Sequence, residues 1–180
     1  MQDYLTVPGA QITRAEREFI KQYAELTESR FDNPVIANIG VLWGATMWCI
    51  RRGAPDATLY GVDIKLDEGI HRRNDLNAHF IEGDSTEIWK QFNRPIHLLL
   101  VDGDHNYETV KRDIAGWVPK VAAGGIIIFH DYAPTDLNLR QFPHIAGVRR
   151  AVDEWFNSTH QNEWLNQILI DSIAWFRRRV

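Results

Sequence analysis

The chain has 180 residues, which suits one domain, since domains cluster near ~100–150 residues and seldom split below ~250. Its 20 Lys and Arg against 24 Asp and Glu give a formal net charge of −4, which argues against a nucleic-acid-binding protein. Cys49 is the only cysteine, so no intrachain disulfide can form, and neither a signal peptide nor an apolar run of membrane-spanning length is visible. We therefore expect a soluble cytoplasmic protein with no nucleic-acid or membrane partner.

The predicted elements alternate between helices and strands along the chain. Thr13 and Glu16 are spaced as a capping box and predict a helix over 13–28, with Phe19, Tyr23 and Leu26 on one face. Five strands are then predicted, at 35–39, 58–64, 78–81, 96–101 and 126–129. The segments between them predict helices at 45–52, 68–77, 85–92 and 106–121.

The last part of the chain predicts a different arrangement. A turn at Gly124-Gly125 is expected before the fifth strand, and the two prolines in 131–146 predict a long loop. A helix over 147–157 then leads to two strands, 163–170 and 173–178, joined by a turn too short for anything but an antiparallel pair. The fold class is therefore α/β: a doubly wound, mostly parallel seven-stranded sheet with one antiparallel strand near the C-terminus.

Ligands of such sheets bind at the carboxyl ends of the strands, where the strand order switches. Gly40 and Gly44 follow the first strand and permit a tight turn with close approach of a ligand to the backbone. Asp63 ends the second strand, where its carboxylate suits a ribose diol. Asp84 and Ser85 follow the third strand, where they either cap the next helix or meet the base of a nucleoside.

Titratable side chains gather after the fourth and fifth strands. Asp102, Asp104 and His105 follow one strand, and His130 and Asp131 follow the other. Because neighbouring strands lie ~4.8 Å apart, we expect these five groups to share one pocket. Carboxylates together with an imidazole suit Mg²⁺, Mn²⁺ or another divalent ion.

Two segments carry a resemblance to a known family. Val101-Asp102-Gly103-Asp104-His105-Asn106-Tyr107-Glu108 and Gly124-Gly125-Ile126-Ile127-Ile128-Phe129-His130-Asp131 resemble class I S-adenosylmethionine-dependent methyltransferases. The chain is similar in particular to small sugar and natural-product O-methyltransferases and to cephalosporin-hydroxylase-like proteins. The resemblance covers roughly residues 33–180 and implies one Rossmann-like domain over 1–180. In it, 33–180 forms the cofactor-binding sheet, and 1–32, which has no counterpart, forms an N-terminal helical cap.

The resemblance implies that S-adenosylmethionine is the cofactor and that a small-molecule hydroxyl is the methyl acceptor. Gly40 and Gly44 would lie against its methionine part, Asp63 would bind the ribose hydroxyls, and Asp84 and Ser85 would lie beside the adenine. Trp43 and Asp102 are further expected cofactor contacts. So is Asn38, although relatives usually carry an acidic residue at its position.

The resemblance also implies a reaction centre. Metal-dependent relatives hold Mg²⁺ with an Asp after the fourth strand and an acidic pair after the fifth, positions filled here by Asp102 and by His130 with Asp131. Asp104 would be the general base on the acceptor hydroxyl, or His105 in its place, and Asp102 completes the catalytic set. The loop 131–146 is expected to form the wall of the acceptor site, and a second copy of the chain could complete it as a homo-oligomer.

Two other functions stay open at this point. A nicotinamide-dependent oxidoreductase would share the doubly wound sheet, although the G-x-x-x-G spacing and the reversed strand count against it. A non-catalytic cofactor-binding or accessory domain would keep the fold without the activity. Binding of NAD or of S-adenosylhomocysteine (SAH) distinguishes the first alternative from the methyltransferase.

Overall fold

A single seven-stranded sheet flanked by helices emerges in the computed structural model, which describes residues 12–72, 74–160 and 162–180. The α-helices are α1 Arg14–Arg30, α2 Ala45–Gly53, α3 Ser85–Ile88, α4 Tyr107–Trp117, α5 Asp136–Gln141 and α6 Ala146–Trp155. The strands are β1 Val35–Ile39, β2 Thr58–Asp63, β3 Ala78–Glu82, β4 Ile96–Val101, β5 Val121–Phe129, β6 Trp164–Ile170 and β7 Ile173–Arg178.

The strand order is β3-β2-β1-β4-β5-β7-β6, and β7 alone runs against its neighbours. The first three strands step outwards in one direction, and β4 and β5 step outwards in the other. The order therefore switches between β1 and β4, which is where ligands of such sheets bind. The predicted fold class, with its antiparallel strand near the C-terminus, is confirmed.

The core lies on both faces of this sheet because the side chains of each strand alternate between them. Leu98 and Leu100 of β4 pack on the side of α1 and α2, with Ile20, Met47 and Ile50 of those helices. Leu99 and Val101 face α4 and α6, whose inward residues include Ile114, Trp117 and Val152. Strands covered on both faces read as continuous apolar runs, which is why β4 was predictable.

The N-terminal helix begins as predicted. Thr13 is the N-cap of α1, and its reciprocal hydrogen bonds with Glu16 form a capping box. The predicted apolar face is only partly right, because Phe19 is buried whereas Leu26 is exposed and Thr27 takes the inward position. Residues 1–11 of the predicted 1–32 cap lie outside the described residues.

Three other local predictions were wrong. Gly124 and Gly125 lie inside β5 rather than in a turn before it, with Gly124 at φ +75° and an irregular pairing against β4. The predicted loop 131–146 contains α5, capped by Thr135, and a 3₁₀ turn at Pro143–Ile145. The predicted helix 68–77 is replaced by two 3₁₀ turns, Ile70–Arg72 and Asn74–Leu76. No helix in the described part of the chain is both long and apolar enough to cross a membrane.

Candidate active site at the carboxyl ends of the strands

Backbone hydrogen bonds beyond the strand ends bring the site together. The N–H groups of Gly40, Asp102 and His130 donate to carbonyls of the neighbouring strands β2, β1 and β4, at 2.8, 2.8 and 3.1 Å. Each bond continues the parallel ladder by one residue. The residues that follow the three adjacent strands β1, β4 and β5 are therefore held at one edge of the sheet before any side chain contributes.

The first side of the site is the glycine turn after β1. Gly40 has φ +86°, and a Cβ there would lie 2.0 Å from the carbonyl oxygen of Asp102. Gly44 has φ +77° and caps α2 with its backbone alone. Both positions exclude a side chain, so the turn leaves its backbone and the start of α2 accessible to a ligand.

Asp63 and Asn38 hold this turn in place. One oxygen of Asp63 accepts from the N–H groups of Val41 and Leu42, at 2.7 and 2.9 Å, and Leu42 has a positive φ of 48°. The buried Asn38 amide donates to the Gly40 carbonyl at 2.7 Å. Asn38 lies beneath the turn and does not line the cavity described below, whereas Asp63 does.

The third strand ends in a carboxylate that caps a helix. Asp84 accepts from the N–H and the hydroxyl of Thr86, and these bonds lower the pKa of Asp84. Behind it, Asp113 of α4 is buried, and its burial raises the pKa of that carboxyl to about 6. Trp117 donates its indole N–H to the Ser85 carbonyl. Asp84 is thus both a cap and an exposed acceptor at the cavity rim.

A cavity of about 640 Å³ runs along these strand ends, a volume in the range of sites for small molecules and cofactors. The predicted site residues that line it are Gly40, Trp43, Asp63, Asp84, Ser85, Asp102, Asp104, His105, His130 and Asp131. Gly44 and Asn38 of the predicted set are not among the residues that line it. Ile12, Thr46, Ile64, Thr109 and Arg112 also line it and were not predicted.

The second side of the site is a buried cluster around His130. Its Nδ1 lies 3.0 Å from Asp102 Oδ1 and 3.1 Å from Asp131 Oδ2, and its Nε2 lies 3.4 Å from Glu16 Oε2. Burial alone would lower the pKa of His130, but the carboxylates outweigh it and raise that pKa well above its usual value. His130 is therefore surrounded by three carboxylates that favour its protonated form.

Glu16 is the member of this cluster that the sequence did not reveal. Burial alone would raise its pKa, but His130, Ser172 and Thr13 together lower it to about 2. Its two oxygens accept from the Thr13 N–H and from the N–H and hydroxyl of Ser172. The capping-box spacing identified Glu16 only as a helix-start residue, because nothing in local sequence reports a contact with β5 and with the β6–β7 turn.

His105 and Asp104 follow the same strand but differ in environment. His105 Nε2 lies 3.0 Å from Asp131 Oδ2, and although burial lowers the pKa of His105, Asp131 and Asp102 raise it overall. Asp104 instead accepts from the backbone N–H and the side-chain amide of Asn106. A hydrogen bond with the Thr109 side chain, together with these bonds from Asn106, outweighs burial and lowers the pKa of Asp104. His105 is therefore the better proton acceptor near neutral pH.

Asp131 joins the two histidines. Its carboxylate contacts both rings, and although burial opposes ionisation, these contacts lower the pKa of Asp131 overall. Its φ of 54° lies in the left-handed region, an unusual conformation for a residue with a side chain, and such strain concentrates at functional sites.

The segment after Asp131 borders the cluster. The His144 ring lies 6.2 Å from the His105 ring, and Phe142, next to it, is half exposed. Tyr132 is tied to α6 by a 2.6 Å hydrogen bond from its hydroxyl to Asp153. The 131–146 segment, which was predicted to form the acceptor wall, thus lies beside His105. It consists of a short helix and a 3₁₀ turn rather than a free loop.

Comparison with known proteins gives one family match. A family described as "Methyltransferase domain" matches residues 37–132, slightly more than half of the chain. Among curated proteins, an uncharacterized protein y4gI of Sinorhizobium fredii is 44% identical over 36 residues, which is 20% of this chain and 4% of that protein. The match is too short to describe the whole relative.

Several solved structures share the fold at low sequence identity. An O-methyltransferase from Bacillus cereus in complex with SAH has a TM-score of 0.73 and 15% identity, with 96% of this chain and 84% of that chain covered. NovP, an O-methyltransferase, has a TM-score of 0.65 and 19% identity, with 95% and 82% covered. MycE of the mycinamycin biosynthetic pathway, in complex with Mg, SAH and mycinamycin VI, has a TM-score of 0.69 and 16% identity. This chain is covered to 98% in that comparison but spans only about half of MycE, 52%.

Proposed function

Because the chain belongs to the methyltransferase-domain family, we propose that it transfers the methyl group of S-adenosylmethionine to a hydroxyl of a small molecule. One observation carries the proposal: the cavity along the strand ends is continuous from the glycine turn and Asp63 to His105 and Asp131. A nucleoside-binding half and a proton-accepting half therefore share one space. The O-methyltransferases of the same fold that bind SAH support both the cofactor and the type of acceptor atom.

The residues of the first half fit this cofactor. The turn that begins at Gly40 lies on the cavity wall, where it would face the amino-acid part, and Asp63 and Asp84 offer acceptors for ribose and base. Trp43 and Ile64, both exposed and both on the cavity wall, offer apolar surface to the adenine. Asn38 supports the turn from below rather than through contact with the cofactor.

The residues of the second half provide proton transfer. S-adenosylmethionine supplies an electrophilic methyl group on a sulfonium. The chain's task is to align the acceptor oxygen, an effect that can contribute ~7–11 kcal/mol, and to remove its proton. His105 is the proposed base, because Asp131 raises its pKa while Asp104 is occupied by its hydrogen bonds from Asn106. Asp131 Oδ2, 3.0 Å from His105 Nε2, would stabilise the positive charge that the ring gains with the proton.

The predicted metal ligands Asp102 and Asp131 already contact His130 Nδ1, at 3.0 and 3.1 Å. In the described part of the chain, the donor atoms that converge within 4.8 Å of one another are those of Asp102, His105 and Asp131, so His105 rather than His130 is the histidine placed to join them around an ion. The proposed step uses His105 as a base and is not routed through a metal. The acceptor's identity, a cytoplasmic location, a homo-oligomer and the absence of a nucleic-acid partner remain predictions. The chain spans only about half of MycE, so the substrate of that protein is not carried over to it.

The proposal is tested by following the methyl group. Protein is incubated with methyl-labelled S-adenosylmethionine and a small-molecule extract of cells, and labelled products are identified by mass spectrometry. We expect label on oxygen, and far less of it in the same time with His105→Ala. Labelled products carrying the methyl group only on nitrogen or carbon would contradict the hydroxyl acceptor, and formation of reduced nicotinamide instead would contradict methyl transfer altogether.

A further inference from the structure

Two side chains of α4 hold the residue that begins α3. Asp113, only 1% exposed, accepts a hydrogen bond from the Ser85 side chain. One turn further along α4, Trp117 donates its indole N–H to the Ser85 carbonyl at 3.0 Å. Ser85 lines the cavity, whereas Asp113 and Trp117 are not among the residues that line it. Both the backbone and the hydroxyl of a cavity residue are therefore fixed from behind.

A carboxylate is a costly choice for this place. Asp is seldom fully buried without an ionic partner, and Asp113 Oδ1 has no hydrogen-bond partner among the described residues. An amide of the same shape would also bond the Ser85 hydroxyl, and it would carry no charge to bury. What the carboxylate provides and the amide does not is a fixed direction of that hydrogen bond.

The direction matters because Ser85 has one hydroxyl proton and two lone pairs. An ionised carboxylate has no proton to give, so Ser85 donates to Asp113 and turns only lone pairs towards the cavity. An amide in the place of Asp113 would instead donate to the Ser85 oxygen, which releases the hydroxyl proton towards the cavity. Asp113 therefore makes Ser85 an acceptor for a ligand beside it.

A second acceptor lies next to Ser85. Asp84 is exposed on the cavity wall, and its Oδ1 already accepts from the N–H and the hydroxyl of Thr86. Its other carboxylate oxygen remains accessible to a ligand. Two adjacent acceptors suit an exocyclic amino group, which has two N–H donors to offer. A keto oxygen in the same place would turn lone pairs towards both acceptors and leave them without a donor.

We propose that Asp113 is a positioning residue, which holds the Ser85 hydroxyl as an acceptor and so selects a base that carries an exocyclic amino group. A base with a keto oxygen at that position, as in hypoxanthine, is rejected. Asp113 acts through Ser85 and does not touch the ligand. The inference rests on the proposed function, because the base in question is the adenine of S-adenosylmethionine.

The same contact makes the selection of the base depend on pH. Burial raises the pKa of Asp113 to about 6. The charged groups that face it are Asp84 and Asp104, which raise that pKa further, and Arg112, which lowers it. At lower pH Asp113 carries a proton, which it donates to Ser85, and the Ser85 proton then turns towards the cavity. The preference for an amino group should therefore be present at pH 8 and weaken as the pH falls through about 6.

The experiment compares two ligands in calorimetric titrations at pH 8: SAH and S-inosylhomocysteine, in whose base a keto oxygen replaces the amino group. The wild type should prefer SAH by about 10²-fold, since a site that pairs its polar groups with a ligand rejects an analogue that leaves them unpaired. Asp113→Asn should reduce that preference to less than about tenfold, because Ser85 then presents a proton to the base. Glu108→Gln removes an exposed carboxylate from the same helix and should keep the wild-type preference.

A merely structural role of Asp113 predicts a different result. If Asp113→Asn weakened the binding of both ligands equally and kept the preference, the proposal would be overturned. Ser85→Ala should show the same reduced preference as Asp113→Asn. The double variant Asp113→Asn/Ser85→Ala should show no further loss, because Asp113 acts only through the Ser85 hydroxyl, and additive losses would contradict that route.

The pH dependence keeps the test decisive if Asp113→Asn does not fold. Between pH 8 and pH 5 the preference of the wild type should fall towards that of Ser85→Ala, whereas the preference of Ser85→Ala should stay constant. Titration of the histidines in the other half of the cavity affects both ligands alike and cancels in this ratio. A wild-type preference that does not change with pH would overturn the proposal.

Failure of the proposed function would give another pattern. A wild type that binds neither ligand would contradict the cofactor, and the inference with it. A wild type that binds SAH and its keto analogue equally well would leave the cofactor assignment intact and overturn the role of Asp113 alone.

Discussion

The two halves of the cavity hold their carboxylates in opposite ways. On the β1–β3 side, Asp63 and Asp84 are partly or fully accessible and accept from backbone N–H groups of the turns beside them. On the β4–β5 side, Asp102 and Asp131 contact histidine rings, and the buried Glu16 closes the cluster from α1. One half presents acceptors to solvent, and the other turns its carboxylates towards histidine rings.

This difference in the accessibility of the carboxylates indicates which role each half is suited to. Accessible carboxylates can exchange water for the hydroxyls of a ligand at little cost, so the first half suits binding. Buried and mutually compensated charges are expensive to rearrange, so the second half suits a fixed geometry in which one histidine can accept a proton. Variants on the β1–β3 side should therefore lose affinity for the cofactor, whereas variants on the β4–β5 side should lose turnover or stability.

The largest expected effect follows from removing the proposed base. His105→Ala should lower the turnover number by about 10²–10⁴-fold, the usual contribution of a general base. Its affinity for SAH should stay near that of the wild type, because His105 lies in the other half. Steady-state kinetics and calorimetry check the two parts, with His79→Ala as the matched histidine control. An equal loss of SAH affinity would show that the halves are not separate.

Removing a charge from the buried cluster should cost stability. Glu16→Gln leaves His130 facing an amide, and breaking a buried ion pair typically costs about 3–5 kcal/mol. Urea unfolding measures the change in the free energy of unfolding. Glu25→Gln, an exposed change on the same helix, is expected to stay within about 0.5 kcal/mol of the wild type. Similar values for the two variants would mean that Glu16 does not stabilise the cluster.

A change on the binding side should affect affinity instead. Asp63→Ala removes a charged acceptor worth about 1.5–3 kcal/mol and frees the turn at Val41 and Leu42. We expect SAH to bind roughly 10–150-fold more weakly, the equivalent of that energy. Glu68→Ala, exposed a few residues away, is the control. Wild-type affinity in Asp63→Ala would contradict a ribose contact at this position.

The smallest effect is a shift of the pH profile. His105 must be neutral to accept a proton, so turnover should rise with pH through its pKa, which contact with Asp131 raises above the usual 6.5. Asp131→Asn removes that contact, and the rise should move to lower pH. Rate measurements between pH 5 and 9 follow the midpoint. A midpoint that moves upwards, or stays in place, would mean that Asp131 does not raise the pKa of His105.

Sequence predicted the strand ends well because their signals are local. The apolar run 96–101 and the polar residues after it mark the end of β4, and parallel pairing then brings Asp102 beside Gly40 and His130. Gly124 was misplaced because a glycine in a strand and one in a turn look alike in sequence. Glu16 was assigned only to its capping box because its contacts with His130 and Ser172 depend on how α1 docks on the sheet.

The most direct measurement of the central claim is a calorimetric titration of the wild-type protein with SAH, alongside an identical titration with NAD⁺. The cavity at the β1–β4 switch is expected to bind SAH in a one-to-one complex that Asp63→Ala weakens, and to give no saturable heat with NAD⁺. Tight binding of NAD⁺ with none of SAH would contradict the methyltransferase assignment of this site.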